Sequence, residues 1–265
     1  MKTKNEIISA LAHNGEERML LAQLFDKEQT CMQRGYLTHT RFLDLNERAL
    51  CTEAIRQMGA SGHALIWGGY DDAERAVAVF YPDYLDESSA RETAPLVLLR
   101  AHKNEGDALM HRDYLGALMG LQIERDTVGD ILVHEEGADL IVMEDMAEFL
   151  LLHYDKAGRK RITVTQEPLD SRKSAAVEEK TGSGSVSSPR LDSVTALVFG
   201  LSRTEAQARI ARGLVFLNNA PCMKDEKNVS EGDRLTLRGI GRAKIDSIGG
   251  TSRKGRIFVH YVKTC

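Results

Sequence analysis

No stretch of this 265-residue chain approaches the ~20 consecutive apolar residues of a bilayer-spanning helix, and no basic start leads into an apolar core and a small-residue cleavage site. Neither secretion nor membrane insertion is supported, so a cytoplasmic location without a membrane partner is expected. Cysteine is scarce: Cys31, Cys51, Cys222 and Cys265 lie far apart, without the C-x-x-C pairing of a zinc knot or a redox dithiol. Such thiols suit a reducing compartment, with some of them buried and free. The histidines form neither an H-x-x-x-H pair nor an HExxH helix, and the run Gly182 to Ser185 lacks the G-x-x-x-x-G-K-[ST] of a phosphate loop. No metal and no cofactor are expected. Asp126, Asp130, Glu135, Glu136 and Asp139 read as a solvated loop surface rather than a magnesium site.

What is present is an ordinary globular composition, 42% apolar and 28% charged, which excludes wholesale disorder. The length implies two or three compact units, each able to hold its own core. Charge is segregated along the chain. From Pro189 onward fourteen Lys and Arg face seven Asp and Glu, whereas 21 basic residues face 32 acidic ones before it. A positive module on a negative body is the pattern of a chain that meets a polyanion through one end.

Residues 1–62 read as a helical N-terminal segment. Ile7, Ile8 and Leu11, then Met19, Leu20 and Leu24, recur at helical spacing, and Asn46 with Glu47 opens a further helix that Gly59 stops. Residues 63–167 read as an α+β domain with helices on one face of a mainly antiparallel sheet. Its strands are "HALIW" and "AVAVFY" around a Gly-Gly-Tyr-Asp-Asp turn, "PLVLLRA", "DILVHE" and "ADLIVM" paired across Glu-Gly, and "KRITVT". Its helices are "DALMHRDYLGALMGLQI", capped by Asp107, and "EDMAEFLLLHY". Trp67, Tyr70, Phe80, Tyr81 and Tyr84 are candidates for base stacking, with Arg100, His102 and Lys103 as basic support, although no aromatic-Gly-aromatic signature is present. Residues 168–188, poor in large apolar side chains and rich in Ser, Gly and charge, read as a flexible linker.

Residues 189–265 form the basic module. Leu191, Val194, Leu197, Val198 and Leu201 make one apolar stripe of a first helix. Ser202 and Glu205 match a capping box that opens a second helix, and Gly213 stops it. Ala206 and Ile210 share the buried face of that helix, and Arg209 and Arg212 lie one turn apart on another side. Arg203 sits beside the first-turn amides, where a phosphate meets a guanidinium and backbone donors together, and its only near carboxylate is committed to the cap. The other reading of Arg209 is an ion pair with Glu205. Val215 and Leu217 alternate as a strand, Asn218-Asn219 accepts the positive φ of a hairpin turn, and "RLTLR" is a further strand.

The stretch from Arg190 to Gly239 resembles the S-four RNA-binding domain, a fold of two helices and a small twisted sheet. It matches the R-L-D and S-R-x-x-A elements and departs at Phe216, at Asn219 where Gly is common, and at Glu231 where Pro is common. Together with "LVLLRAH", "YLGALMGLQIERDTVGDILV" and "FYPDY", it is similar to the YlmH family of bacterial proteins named from a cell-division gene neighbourhood. That resemblance implies a helical N-terminal segment, an RNA-recognition-motif-like α+β middle domain and a C-terminal S-four domain. It also implies association with ribosomal RNA or tRNA or both on the large ribosomal subunit, in translation quality control or rescue. The expected RNA-binding residues are Arg190, Ser202, Arg203, Thr204, Gln207, Arg209, Arg212, Lys224, Arg242 and Lys244, with Arg253 and Lys254 of the loop Gly249 to Gly255 as a secondary pair.

Enzyme activity is not expected. S-four domains also accompany pseudouridine synthases, methyltransferases and tyrosyl-tRNA synthetases, but no strand followed by G-x-G and no HIGH-like or KMSKS-like motif is present, and too few residues follow Asp192 for a synthase domain. The expectation is a monomeric, non-enzymatic RNA-binding protein. The alternatives are an accessory to an RNA-modifying enzyme and an interaction protein of the division machinery.

Overall fold

All four residues of the strand at 77–80, Val-Ala-Val-Phe, are buried, which requires cover on both faces of the sheet that holds them. The computed structural model describes residues 3–173, 179–252 and 255–264, and the chain divides into two units, Met1–Ala176 and Val177–Cys265. In the first unit, α1 (Lys4–Leu11), α2 (Gly15–Arg34), β1 (Thr38–His39), α3 (Leu45–Met58), β2 (Ala64–Trp67), β3 (Val77–Phe80) and α4 (Glu87–Glu92) lead into a second set of elements. These are β4 (Leu96–Lys103), α5 (His111–Gly120), β5 (Val128–His134), β6 (Gly137–Met143), α6 (Ala147–His153), β7 (Lys156–Ala157) and β8 (Lys160–Glu167).

Two antiparallel sheets result, with orders β1-β3-β2 and β5-β6-β4-β8-β7. The alternation of side chains along each strand sorts the apolar residues into three cores. Ala78 and Phe80 pack with α1, α2 and α3 through Ile7, Leu21, Leu24 and Ile55. Val77, Val79 and Leu65 meet Leu96, Leu98, Ile141 and Met143 of the larger sheet. Leu99, Leu140 and Val142, on that sheet's far face, pack with Tyr114 and Leu118 of α5 and Leu150 of α6. The layers are therefore helix, sheet, sheet, helix. The segment β4-α5-β5-β6-α6-β8 has the βαββαβ order with β4 and β6 central, the α+β topology of ferredoxin-like and RNA-recognition-motif domains.

Residues 1–62 do not form a separate helical segment: β1 pairs with β3, and α1–α3 cover the sheet that β2 and β3 complete. Two local assignments also change. The cap of α3 is Asp44, whose Oδ1 accepts from the amides of Asn46 (2.8 Å) and Glu47 (3.0 Å), while Glu47 returns the bond to the Asp44 amide. Asp107 does not cap α5. It pairs with Lys160 at 2.6 Å, and Asp113 reaches back to the Met110 amide instead.

The second unit comprises β9 (Glu179–Val186), α7 (Leu191–Phe199), α8 (Arg203–Ala211), β10 (Val215–Leu217), β11 (Ala220–Pro221), β12 (Arg234–Leu237), β13 (Gly241–Thr251) and β14 (Ile257–Thr264). The sheet order is β11-β10-β12-β13-β14-β9. Leu191, Val194 and Val198 of α7 and Ile210 of α8 pack on its inner face against Leu235, Leu237, Ala243, Ile245 and Val259. Leu217 pairs with Ala220 across Asn218 and Asn219, whose φ values of 53° and 64° make the expected two-residue hairpin turn. Phe216 is buried as well, so β10 does not alternate.

The expected linker at 168–188 holds a strand. β9 pairs with β14 in unbroken register from Ile257↔Val186 to Thr264↔Glu179. Its glycines serve close approach rather than flexibility: a Cβ on Gly182 would lie 2.5 Å from the Tyr261 ring, and one on Gly184 would lie 2.3 Å from Leu197 Cδ1. Residues 169–171 form a 3-10 turn that belongs to the first unit. No helix among the described residues is long and apolar enough to cross a membrane.

Candidate nucleic-acid interface

A carboxylate with no solvent access holds the helical face of the second unit together. Asp192 lies in the first turn of α7 with 0% exposure. Its Oδ2 accepts from Arg203 Nε (2.9 Å) and Gln207 Nε2 (2.9 Å) of α8, and its Oδ1 accepts from the Ser193 amide (2.8 Å) and Arg190 Nε (3.3 Å). Gln207 Nε2 also donates to Asp225 Oδ2 at 3.1 Å. The loop carrying Asp225 is stitched to the start of α7, because the carbonyls of Lys227 and Asp225 accept the amides of Leu191 (2.8 Å) and Asp192 (3.1 Å). Burial pushes the Asp192 carboxyl pKa up, but the hydrogen bonds from Arg203, Gln207 and Arg190 outweigh it and hold the group below its ordinary value. Arg190, Arg203 and Lys224, the neighbour of Asp225, are thereby gathered where α7, α8 and the 224–229 loop meet. Arg203 remains 52% exposed and Arg190 33% exposed, so each has donor capacity left.

These bonds correct the expectation that Arg203 has no free carboxylate nearby, because its partner is eleven residues upstream. They also change what Ser202 and Gln207 do. The Ser202 hydroxyl accepts from the Glu205 amide (3.2 Å) and donates to Glu205 Oε2 (2.8 Å) in the capping box. Those contacts hold the Glu205 carboxyl below its usual range. Both amide hydrogens of Gln207 are engaged. With Glu205 turned back to the cap, half-buried Arg209 makes no hydrogen bond or close ion pair with it among the described residues, and its charge acts on that carboxylate only through space.

The arginines of α8 do not share one face. At about 3.6 residues per turn, Arg203 and Gln207 flank one edge of the buried stripe made by Ala206 and Ile210, and Arg209 and Arg212 flank the other. Between them, facing solvent, lie Thr204, Ala208 and Ala211, all exposed and all small. The helix thus presents a low ridge with cations along both sides. Arg242 and Lys244 belong elsewhere. They alternate with the core residues Ala243 and Ile245 and pair with Thr236 and Arg234, which puts Arg234, Arg242 and Lys244 on the outer face of the sheet, away from the helices. Arg253 and Lys254 lie outside the described residues.

In the first unit, the sheet face that would stack bases in an RNA-recognition motif is covered. Phe80 and Tyr81 are core, Trp67 lies under Arg91 (4.6 Å) and Tyr70 lies under Arg172 (4.2 Å). Arg100 is buried in a bidentate pair with Asp139 (2.7 and 3.0 Å), which also accepts from His134 Nε2 and the Lys173 amide. Asp130 accepts from Tyr70 Oη and the amides of Glu74 and Arg75. Neither carboxylate is part of a solvated loop surface. Cys31, Cys51 and Cys222 are buried free thiols, and burial raises the Cys51 pKa to about 12.

Comparison with known proteins decides the family. The chain is 31% identical over 242 residues to ribosome-associated protein quality control protein P2 of Bacillus subtilis (strain 168), covering 91% of this chain and 93% of that protein. It belongs to the YlmH family. Residues 102–171 match the family model described as "Putative RNA-binding domain in YlmH". The solved structure of cell division protein ylmH from Streptococcus pneumoniae superposes with a TM-score of 0.50 at 21% identity, covering 60% of this chain and 96% of that one, which shows a shared fold. In this YlmH-family chain, reading the sequence missed the organising role of Asp192. The signal was available in R-L-D followed by S-R-x-x-A-Q, which places one acid within reach of two arginines and a glutamine.

Proposed function

We propose that this protein is a non-enzymatic RNA-binding factor that works on the ribosome in translation quality control or rescue, gripping ribosomal RNA or tRNA on the large subunit with its C-terminal unit. On this reading that unit is an S-four domain, and the protein acts as a cytoplasmic monomer. The observation that carries the proposal is the outward face of α8: small side chains Thr204, Ala208 and Ala211 with Arg203 on one flank and Arg209 and Arg212 on the other. A low ridge admits close approach to an RNA strand, and cations on both flanks meet its phosphates. Arg190 and Lys224 extend the Arg203 flank, and Asp192 holds that flank in place before RNA arrives. Preorganised guanidinium groups lose less freedom on binding than flexible ones. The family relative's name, a ribosome-associated quality control protein, agrees with this role.

The test is the salt dependence of RNA binding. Neutralising about four phosphates on single-stranded RNA sets a log–log slope near −3, and Arg203→Ala with Arg212→Ala should reduce its magnitude by about 1.4. Ribosome co-sedimentation should fall in the same variant. A double variant that binds and sediments like the parent removes α8 from the interface.

A further inference from the structure

The first unit is acidic, yet it contains a groove whose charged side chains are cationic. About 330 Å³ in volume, it is lined by Gln23 and Lys27, one turn apart on α2, and by His39, Thr40 and Arg41 at the end of β1. Its walls are fixed. Thr38 Oγ1 donates to the Lys27 carbonyl (2.7 Å), and Thr40 is held by the Ala78 amide (2.9 Å) and by donation to the Arg41 carbonyl (2.8 Å). Lys27 is exposed and makes no ion pair among the described residues. Arg41 Nη1 meets Asp145 at 3.2 Å, but both partners are about half exposed, so water and salt screen the pair and an incoming anion can compete for the guanidinium.

His39 adds a different capability. Its Nδ1 lies 3.0 Å from the Thr40 carbonyl, which can only accept, so Nδ1 carries the proton of the neutral ring. Burial lowers the imidazole pKa and keeps that neutral form at neutral pH. Nε2 is then an acceptor, matched by a hydroxyl and not by a phosphate oxygen. A ligand presenting both a phosphate anion and a nearby hydroxyl donor completes the groove.

We propose that this groove binds the ribose–phosphate backbone of an RNA strand, with Lys27 and Arg41 on phosphate, the Gln23 amide beside them, and His39 Nε2 accepting a 2′-hydroxyl. The site is independent of α8. It gives the acidic unit its own RNA contact without a stacking platform, and the 2′-hydroxyl bond selects RNA over DNA.

The experiment uses the full chain and short 4-thiouridine-labelled RNA, with DNA of equal length and inorganic phosphate as competitors, followed by mapping of the crosslinked peptides. Crosslinks are expected within residues 23–41 as well as within 190–212. Lys27→Ala with Arg41→Ala should abolish the first set, leave the second, keep the thermal midpoint and lower the salt slope by about 1.4. His39→Ala should reduce the preference for RNA over DNA competitor. Crosslinks confined to the second unit, DNA competing as well as RNA, or inorganic phosphate displacing the 23–41 crosslinks at concentrations equimolar with RNA would each overturn the proposal. Crosslinks at 23–41 without any at 190–212 would instead overturn the α8 assignment and leave this groove standing.

Discussion

At the scale of single residues, Asp192 and Arg212 separate stability from binding. Asp192 is fully buried and anchors donors from four side chains, Arg190, Ser193, Arg203 and Gln207, so replacing it strands those donors, whereas Arg212 is exposed and is expected to affect RNA alone. Asp192→Asn should cost the second unit about 1–3 kcal/mol, discounted from a fully buried ion pair because Arg203 stays half exposed. Chemical denaturation followed by a probe in that unit measures it. The pH dependence has a definite sign. The Asp192 pKa is depressed on folding, so its stabilisation is complete above the unfolded value of about 3.9 and is lost as pH falls through the lower folded value. The Asn variant should therefore show a flatter acid limb below about pH 4 than the parent. An acid limb identical in the two proteins would mean that the carboxylate is not ionised in the fold.

At the scale of elements, β9 shows where local composition misleads. Ser, Gly and charge usually mark a coil, and the same residues here form an eight-residue strand because Tyr261 and Leu197 occupy the space that side chains at 182 and 184 would need. Backbone amides of β9 bonded to β14 should exchange with deuterium as slowly as those of β14 itself, whereas a linker would exchange at once. Gly182→Val with Gly184→Val should lower the stability of the second unit by about 1–3 kcal/mol through overpacking, despite the higher strand propensity of valine. Much else was legible, and for a physical reason: the α8 capping box, the Asn218-Asn219 turn and the strands β4, β5, β6 and β8 are set by residues adjacent in sequence. What escaped depends on partners far along the chain. The cover that β2 and β3 place over Leu98 and Ile141 closes the sheet face expected to stack bases, and of the expected stacking aromatics Phe80 and Tyr81 are core while Tyr84 stays exposed. The pairing of Arg203 with Asp192 spans a helix and a turn. The candidate site was thus readable as a list of cations. It was not readable as a surface, because the divide between the two edges of α8 and the outer sheet face follows from packing.

At the scale of the whole molecule, charge segregation makes a prediction that contacts alone do not. The residues before Pro189 carry 32 acidic against 21 basic side chains, and a polyanion approaching the basic unit feels both fields wherever the units lie. The acidic unit should weaken non-specific RNA binding and so raise selectivity for sites that the C-terminal unit fits closely. The separate core of Val177–Cys265, built on Leu191, Val198, Leu235 and Ile245, is the basis for studying that unit alone. It is best compared with the full chain carrying Lys27→Ala and Arg41→Ala, so that contacts from the first-unit groove do not offset the repulsion. At low salt the isolated unit should bind random-sequence RNA about three- to tenfold more tightly than that variant. Because exposed charges more than about 10 Å apart are largely screened at 0.1 M salt, the gap should close as salt rises towards that value. A gap that persists at high salt would mean that the first unit blocks the interface by contact rather than by charge.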